Sequence, residues 1–489
     1  MTISGQSRAG KARTDGEDAF GWRFTTPLYL GTALNPINSS IIATALVPIA
    51  TDLHVPVGST AVLVSCLYLA SAIAQPTAGK LAEEFGPRRV FLAGVLLVLA
   101  GGLIGGFGQS LGMLTVARVL IGIGTSAGYP AAMVSISRRA GAAGMSGPPG
   151  GVLGGISLAG MSIAAVGPPL GGLLVGALGW HWAFLINIPV TAVTLLTALL
   201  HVPRDPAPVE RRDLRTVAAR LDFVGIALFG GTMAALINGL PHLDRPVLAV
   251  AAALAAVLAW WELRHPTPFV DLRALRENGA LTRTYLRVAL TALGAYTVMY
   301  GLVQWMQDGR GMSAGQAGLM LLPMGVLSAL LARPLAKRNL VRGPLRTAGL
   351  ALLAGSITIV LLGNHSPVLA ILAVTLIYGV VMGTTSVANQ TALYLQAPPD
   401  QIGTAAGLMR TFTYLGPIAS ATITGAVFKH GATDRGLHTI GLVLIAAAAA
   451  VLALTALDRT LETPAATLTE GPAEIPHRPA ATADMENTP

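Results

Sequence analysis

Apolar stretches of about 20 residues follow one another along almost the whole chain, and the charged residues are confined to the short gaps between them. This alternation leaves little choice of fold. A helix of about 20 residues crosses the hydrocarbon core of a bilayer, and inside that core each segment must satisfy its own backbone hydrogen bonds. Only 11% of the residues are charged, where a soluble domain carries roughly 25%. About fourteen spans are expected, starting near Thr26, Gly58, Val90, Leu111, Gly151, Trp182, Asp222, Val247, Leu281, Ala314, Leu345, Pro367, Gly403 and Thr439. The fold class is therefore an all-α, multi-pass membrane protein.

The net charge of +9 would suggest nucleic acid in a soluble chain, but its placement gives it another meaning. Even-numbered gaps hold Lys80, Arg88 and Arg89; Arg138 and Arg139; Arg204, Arg211, Arg212, Arg215 and Arg220; Arg264, Arg273 and Arg276; and Arg333, Lys337, Arg338, Arg342 and Arg346. Odd-numbered gaps hold only Arg245, Arg310, Lys429 and Arg435. By the positive-inside rule both termini are cytoplasmic, in agreement with an even number of spans, and no nucleic-acid partner is needed. Residues 1–24 are polar, and no cleavable signal peptide is expected. Residues 459–489 are rich in Pro, Ala, Thr and Glu and are expected to be a disordered cytoplasmic tail, like residues 1–24. The single cysteine, Cys66, excludes an intrachain disulfide and a cysteine-based metal cluster.

The gap from His201 to Leu221, with three prolines and five arginines, divides six spans from a second set. Gly79-Lys80-Leu81-Ala82 with Gly86-Pro87-Arg88 after span 2 is echoed by Arg333-Pro334-Leu335-Ala336 with Gly343-Pro344-Leu345-Arg346 after span 10. A duplicated six-helix unit with two helices inserted between the copies would place the two loops there. The expected organisation is an N-terminal bundle over 25–202, a linker with two extra spans over 203–280, and a C-terminal bundle over 281–458. Paired bundles rocking about a central site are a common transporter plan.

Four motifs carry chemistry or close packing. The loop Gly79-Lys80-Leu81-Ala82-Glu83-Glu84-Phe85-Gly86-Pro87-Arg88 combines glycines for a tight reversal with an acid, Glu83, and a base, Arg88. Span 5 carries Gly167-Pro168-Pro169-Leu170-Gly171-Gly172 followed by Gly176, in which Gly167/Gly171 and Gly172/Gly176 form small faces for close helix approach. Arg118 lies about seven residues, roughly 10 Å, inside span 4 and is expected to face the bundle interior. The segments Trp180-His181-Trp182-Ala183-Phe184-Leu185-Ile186-Asn187-Ile188-Pro189, Leu221-Asp222-Phe223-Val224-Gly225 and Gln316-Ala317-Gly318-Leu319-Met320-Leu321-Leu322-Pro323 complete the set.

Together these residues resemble the major facilitator superfamily, and within it the fourteen-helix drug:proton antiporter-2 family of bacterial multidrug exporters. The resemblance runs from about Thr25 to Arg459. It implies the major facilitator fold: two six-helix bundles with two additional central helices. It further implies that Gly79, Glu83, Gly86 and Arg88 form a cytoplasmic gate latch, that Gly167, Pro168, Gly171 and Gly172 form an antiporter motif, and that Arg118 takes part in proton coupling. The chain departs from the pattern at Glu83, where Asp is usual, and at Pro87, Ile121 and Ile163.

The largest departure is Asn38, where the family usually carries a titratable aspartate. None of the 23 acidic residues falls in mid-span on these boundaries, and the nine histidines also sit at span ends, in loops or in the tail. Coupling would then need a peripheral acid, Asp308 first, then Asp52, Glu83 and Asp222. An ordinary solvated loop acid is the competing reading of Asp308. With Arg118 and a possible companion in Arg410, the interior is electropositive and should favour neutral, zwitterionic or anionic substrates over cations. A mostly apolar cavity is expected to draw its polar contacts from Asn35, Asn38, Gln75, Tyr129, Tyr300, Gln304, Asn389, Gln390, Arg410 and Tyr414.

The sequence thus reads as a secondary exporter of drugs or natural products, with proton antiport implied by the resemblance. It would be a monomer in a bacterial plasma membrane, with small molecules, protons and lipid as partners. Uncoupled export or facilitation is the alternative, and a membrane sensor or intramembrane enzyme is remote. No cofactor or metal is expected; the chain has no G-x-x-x-x-G-K-[ST] loop and no catalytic constellation at membrane depth.

Overall fold

The computed structural model describes residues 20–145, 150–205, 222–239, 244–266, 268–270, 272–338, 340–397 and 402–462. The terminal segments expected to be disordered lie outside these residues, except 20–24 and 459–462, as does the arginine-rich stretch 206–221. The described chain is helical throughout, and fourteen spans follow in the expected order. They are α1 (Trp22–Asp52), α2 (Ala61–Phe85), α3 (Pro87–Gly106), α4 (Leu111–Ala142), α5 (Gly150–Leu178), α6 (Asn187–His201), α7 (Phe223–Gly239) and α8 (Arg245–Glu262). The second set is α9 (Gly279–Thr297), α10 (Leu322–Arg338), α11 (Arg342–Leu361), α12 (Val368–Gln396), α13 (Ile402–Val427) and α14 (Asp434–Leu457). Two π-helical turns, Val298–Leu302 and Trp305–Gly309, extend α9, and a short helix, Ala314–Met320, leads into α10.

Local chemistry sets the helix ends. Ser110 accepts from the Met113 amide, Asn278 from Leu281, Ser313 from Gln316 in a reciprocal capping box, and Thr433 from Gly436. Helix α1 keeps its course through Pro27, Pro36 and Pro48. Side chains within it satisfy carbonyls of the preceding turn: Ser39 Oγ donates to Asn35 O at 2.7 Å, Ser40 Oγ to Pro36 O at 2.6 Å, and Asn38 Nδ2 to Leu34 O at 2.9 Å.

The internal repeat is visible in the pairing of helices. In the first set α1 packs on α4, α5 and α6, α2 on α4, and α3 on α4 and α6. In the second set α9 packs on α12, α13 and α14, α10 on α12, and α11 on α12 and α14. Each pairing recurs eight helices later. The sets meet along two seams, α2 with α13 and α5 with α10, which the same correspondence exchanges. The inserted pair is peripheral: α8 packs on α7 and exposes Val250, Val257 and Trp260. Asp222 accepts from the amides of Gly225 and Phe269 and from Trp261 Nε1, and Glu262 accepts from the Val270 amide. These two buried acids tie the loop after α8 back to the start of α7.

At the end of the second set that carries the arginine-rich gaps, called here the basic end, Asp458 is fully buried between Arg287 at 2.9 Å and Arg283 at 3.3 Å. Gln396 Nε2 and the Thr460 hydroxyl also donate to it, so α9, α12 and α14 meet at one carboxylate. Burial works against that charge. The hydrogen bonds from Thr460 and Arg287 and the two guanidinium charges outweigh it and hold the acid below the usual carboxylate range. The stabilisation is therefore complete above the ordinary carboxylate pKa near ~4 and fades as pH falls through the lower folded value. Asp458→Asn should leave Arg287 buried without its counter-charge and cost about 3–5 kcal/mol, read as a lowered thermal midpoint in detergent at pH 7. An unchanged midpoint would show that the pair does not hold the bundle.

Candidate functional site

The centre of the first set is built around Arg118, which is 1% exposed. Its Nε donates to Leu63 O on α2 at 2.9 Å and its Nη1 to Asn38 O on α1 at 3.1 Å, while Nη2 has no partner. No carboxylate answers it among the described residues. One guanidinium thus joins α4 to the backbones of α1 and α2, and its charge stays in the core.

Asn38 is not simply an acid with its charge removed. Its Nδ2 donates to Asn187 Oδ1 at 2.7 Å and to Leu34 O, and its Oδ1 accepts from Asn187 Nδ2 at 2.9 Å. Both amides are buried, at 1% and 0% exposure. A carboxylate at position 38 would face two acceptors, Asn187 Oδ1 and Leu34 O, with nothing to donate. The environment is shaped for an amide.

The two small faces of α5 serve two partners. A methyl on Gly167 would strike Ser40 Oγ, and one on Gly171 would come 2.7 Å from Ile41 Cα, so this face seats α1. A methyl on Gly172 would strike Ala314 O across the seam, and Gly318 approaches Pro168 O from the other side. Gly176 belongs to the same face, close to Gly315. The motif therefore brings backbones together both within its own set and between sets.

Contacts across the seams fall in an order. At the end opposite the basic one, Gly58 lies against Gly425 O and the Lys429 backbone. Next, Gln307 Nε2 donates to Thr44 O at 3.2 Å. Deeper, Tyr300 donates to Ser39 O at 2.9 Å and its hydroxyl meets that of Tyr68 at 3.1 Å. The Tyr414 hydroxyl then donates to Gln75 Oε1, and the Arg410 guanidinium lies 5.1 Å over the ring of Tyr129. No hydrogen bond between described residues joins the two sets on the basic side of that pair. Among the described residues the seam is thus closed at the end opposite the basic one, and its polar contacts reach to mid-depth.

The remaining expected site residues are placed as follows. Asn35 Nδ2 reaches Thr125 Oγ1 at 3.1 Å and Ser71 Oγ at 3.4 Å. Gln304 and Asn389 are buried, each with a carbonyl oxygen lacking a partner, and Gln390 is exposed. Asp308 is exposed and accepts from the Ala432 amide at 2.6 Å, and Asp52 accepts from Trp180 Nε1 at 3.0 Å. Asp52 also borders a groove of about 460 Å³ with Trp180, Gln307 and Ala314. In the loop after α2, Gly86 has φ +101° and faces Asp205, whose carboxylate accepts from the amides of Arg88 and Arg89. Arg88 Nη2 donates to Leu199 O, and Glu83 presents its backbone carbonyl to Arg138. Gly79 packs near Pro130. The loop is thus fastened to its own set. Sequence reasoning singled out neither Asn187, Tyr68 nor Arg287 as site or core-charge residues.

Two repeated helix sets meeting at a seam sealed at one end define the class of membrane transporters that work by moving one set against the other. The chain belongs to the Major Facilitator Superfamily, which it matches over residues 28–421. It is 30% identical over 443 residues to the uncharacterized MFS-type transporter YwoD of Bacillus subtilis, covering 88% of this chain and 95% of that one. It is 29% identical over 490 residues to the lincomycin resistance protein of Streptomyces lincolnensis, covering 94% and 97%. Among solved structures, a mutant of the peptide transporter POT superposes with a TM-score of 0.64 at 17% identity, covering 89% of this chain and 95% of that one.

Two substitutions test this geometry. Asn187→Leu should strand the Asn38 amide and cost about 1–3 kcal/mol, and adding Asn38→Leu should recover part of that loss, read as thermal midpoints of both variants. Additive losses would sink the reciprocal pair. Gly172→Leu should fold yet abolish transport, since α5 and the short helix Ala314–Met320 could no longer close; transport at the parent rate would show that this approach is not part of the cycle.

Proposed function

We propose that this transporter is a secondary exporter of small organic molecules that alternates access through the seam. Its rocking bodies would be 25–202 and 281–458, with 203–280 carrying the linker and the inserted helices. The observation that carries the reading is where the seam contacts lie: among the described residues they run from Gly58–Gly425 at the closed end to Arg410–Tyr129 at mid-depth. The arginine-rich gaps support a cytoplasmic side for the basic end and for both termini. Loading from inside fits export, as do the α5 glycine faces and the resistance protein among the relatives.

The pocket is read from Asn35, Gln75, Tyr129, Tyr300, Arg410 and Tyr414, with Arg118 supplying a fixed positive field behind it. Neutral, zwitterionic and anionic compounds are favoured over cations. Proton antiport, implied by the family resemblance, would have to run through Asp308, Asp52, Glu83 or Asp222. Of these, Asp308, Asp52 and Asp222 accept structural hydrogen bonds from backbone or indole donors. The saturated Asn38–Asn187 pair favours the second reading, export without a proton.

The test is efflux of matched anionic, neutral and cationic compounds from proteoliposomes with and without a pH gradient. Anionic and neutral compounds are expected to leave several-fold faster than cations. Faster efflux of lipophilic cations would overturn the charge preference, and Asp308→Asn with intact gradient-driven efflux would remove that acid from the coupling route.

A further inference from the structure

One wall of the seam is aromatic. Tyr296 stacks on Tyr300 with centroids 5.9 Å apart, Tyr68 sets its edge to Tyr296 at 5.4 Å, and Tyr414 tilts against Tyr68 at 5.8 Å. Arg410 lies one turn before Tyr414 on α13, so both face the first set, Tyr414 meeting Gln75 and Tyr68 on α2 and Arg410 the ring of Tyr129 on α4. Tyr129 and Tyr296 are only half-buried, and Arg410 is exposed. Other guanidiniums in the helical core are answered: Arg287 by Asp458, and Arg118 by two carbonyls. Arg410 has a ring beneath it and no carboxylate partner among the described residues.

We propose that Arg410 and this tyrosine wall bind planar aromatic monoanions, and that the inside-negative membrane potential drives their export as a uniport with no proton exchanged. This rests on the exporter reading above. A guanidinium presents two parallel N–H donors to a carboxylate or sulfonate, which an ammonium cannot do, and tyrosine faces accept the flat ring beside it. The charge arithmetic supplies the driving force. With no acid in mid-span, one negative charge leaves per cycle, whether it moves on the loaded carrier or as the return of the positive empty one. A membrane potential acts on that charge with about 2.3 kcal/mol per 100 mV, a tenfold gradient for roughly 60 mV. A titratable site is then unnecessary, which accounts for an amide pair at Asn38.

The experiment uses the full chain in liposomes whose potential is set by potassium and valinomycin. The probe is 1-naphthalenesulfonate, an anion with no titration near neutrality, beside neutral and cationic naphthalene analogues. The sulfonate should distribute tenfold per roughly 60 mV, in the sense of the imposed potential, with no response to a pH gradient at zero potential. Arg410→Gln should lose at least tenfold in saturable sulfonate transport and Arg410→Lys should fall between, since the charge stays but the fork is lost. Arg410 has no hydrogen-bonded partner to strand among the described residues, and a Tyr129→Leu variant gives a second loss of sulfonate affinity. Accumulation driven by pH at zero potential, indifference to potential, or parent-level transport by Arg410→Gln would each overturn the proposal. If neutral or cationic analogues move and the sulfonate does not, this inference fails while the exporter reading stands. If none moves, the exporter reading fails with it.

Discussion

Two carbonyls of α1 carry the junction between the two helix sets, and a third beside them is held within the first set. Asn38 O is held by Arg118 from within the first set, while Ser39 O and Thr44 O are held by Tyr300 and Gln307 from the second. Successive carbonyls on one helix are thus shared between a charge that never leaves its set and a phenol that must leave when the seam opens. Helix α1 can serve this way because its prolines and hydroxyl side chains already loosen its own ladder. The donors from the second set lie on α9 at or beside its π-helical turns, a geometry that wraps the backbone wider and recurs at functional sites.

The two sets share their pairing pattern but not their electrostatics. In the second set, Arg287 enters the core near the basic end and meets Asp458, with Gln396 and Thr460 filling the remaining positions on the acid. In the first set, Arg118 enters the core from the opposite end with only carbonyl dipoles around it. The charge of Arg287 is therefore neutralised locally, and that of Arg118 is not. An uncompensated cation in low dielectric projects its field into the adjoining cleft, while the paired one contributes little there.

Much of this was legible in the sequence. The span starts near Leu111, Leu281 and Ala314 were legible from where the apolar stretches begin, and helices start at Leu111, Gly279 and Ala314. The paired glycine faces of α5 were legible from spacing alone, though not that one face would serve α1 and the other the short helix before α10. The partner of Asn38 was not legible: Asn187 lies 149 residues away, and nothing local distinguishes it from a helix-start asparagine. Arg287 and Asp458 each look like a snorkelling end charge, and only the return of α14 beside α9, 171 residues on, buries both. The π-helical turns leave no composition signal, because they follow from how α9 must aim Tyr300 and Gln307 at carbonyls already fixed by α1.

The contrast between the contacts at the sealed end and those at mid-depth sets how readily the seam can part. At the sealed end, backbones touch at Gly58, Gly425, Gly172 and Ala314, and no side-chain hydrogen bond between described residues joins them. Separating them forfeits dispersion without stranding a donor. At mid-depth, the hydrogen bonds from Tyr300, Gln307 and Tyr414 must break, each worth about 0.5–1.5 kcal/mol net. Their sum is a few kcal/mol, the size of gap that leaves a second conformation thinly populated and within reach of a ligand. A cargo that draws Tyr414 from Gln75, or engages the guanidinium lying over Tyr129, acts on the same interactions that hold the seam shut. Binding and opening are then coupled through shared side chains, and no separate latch is required at this depth.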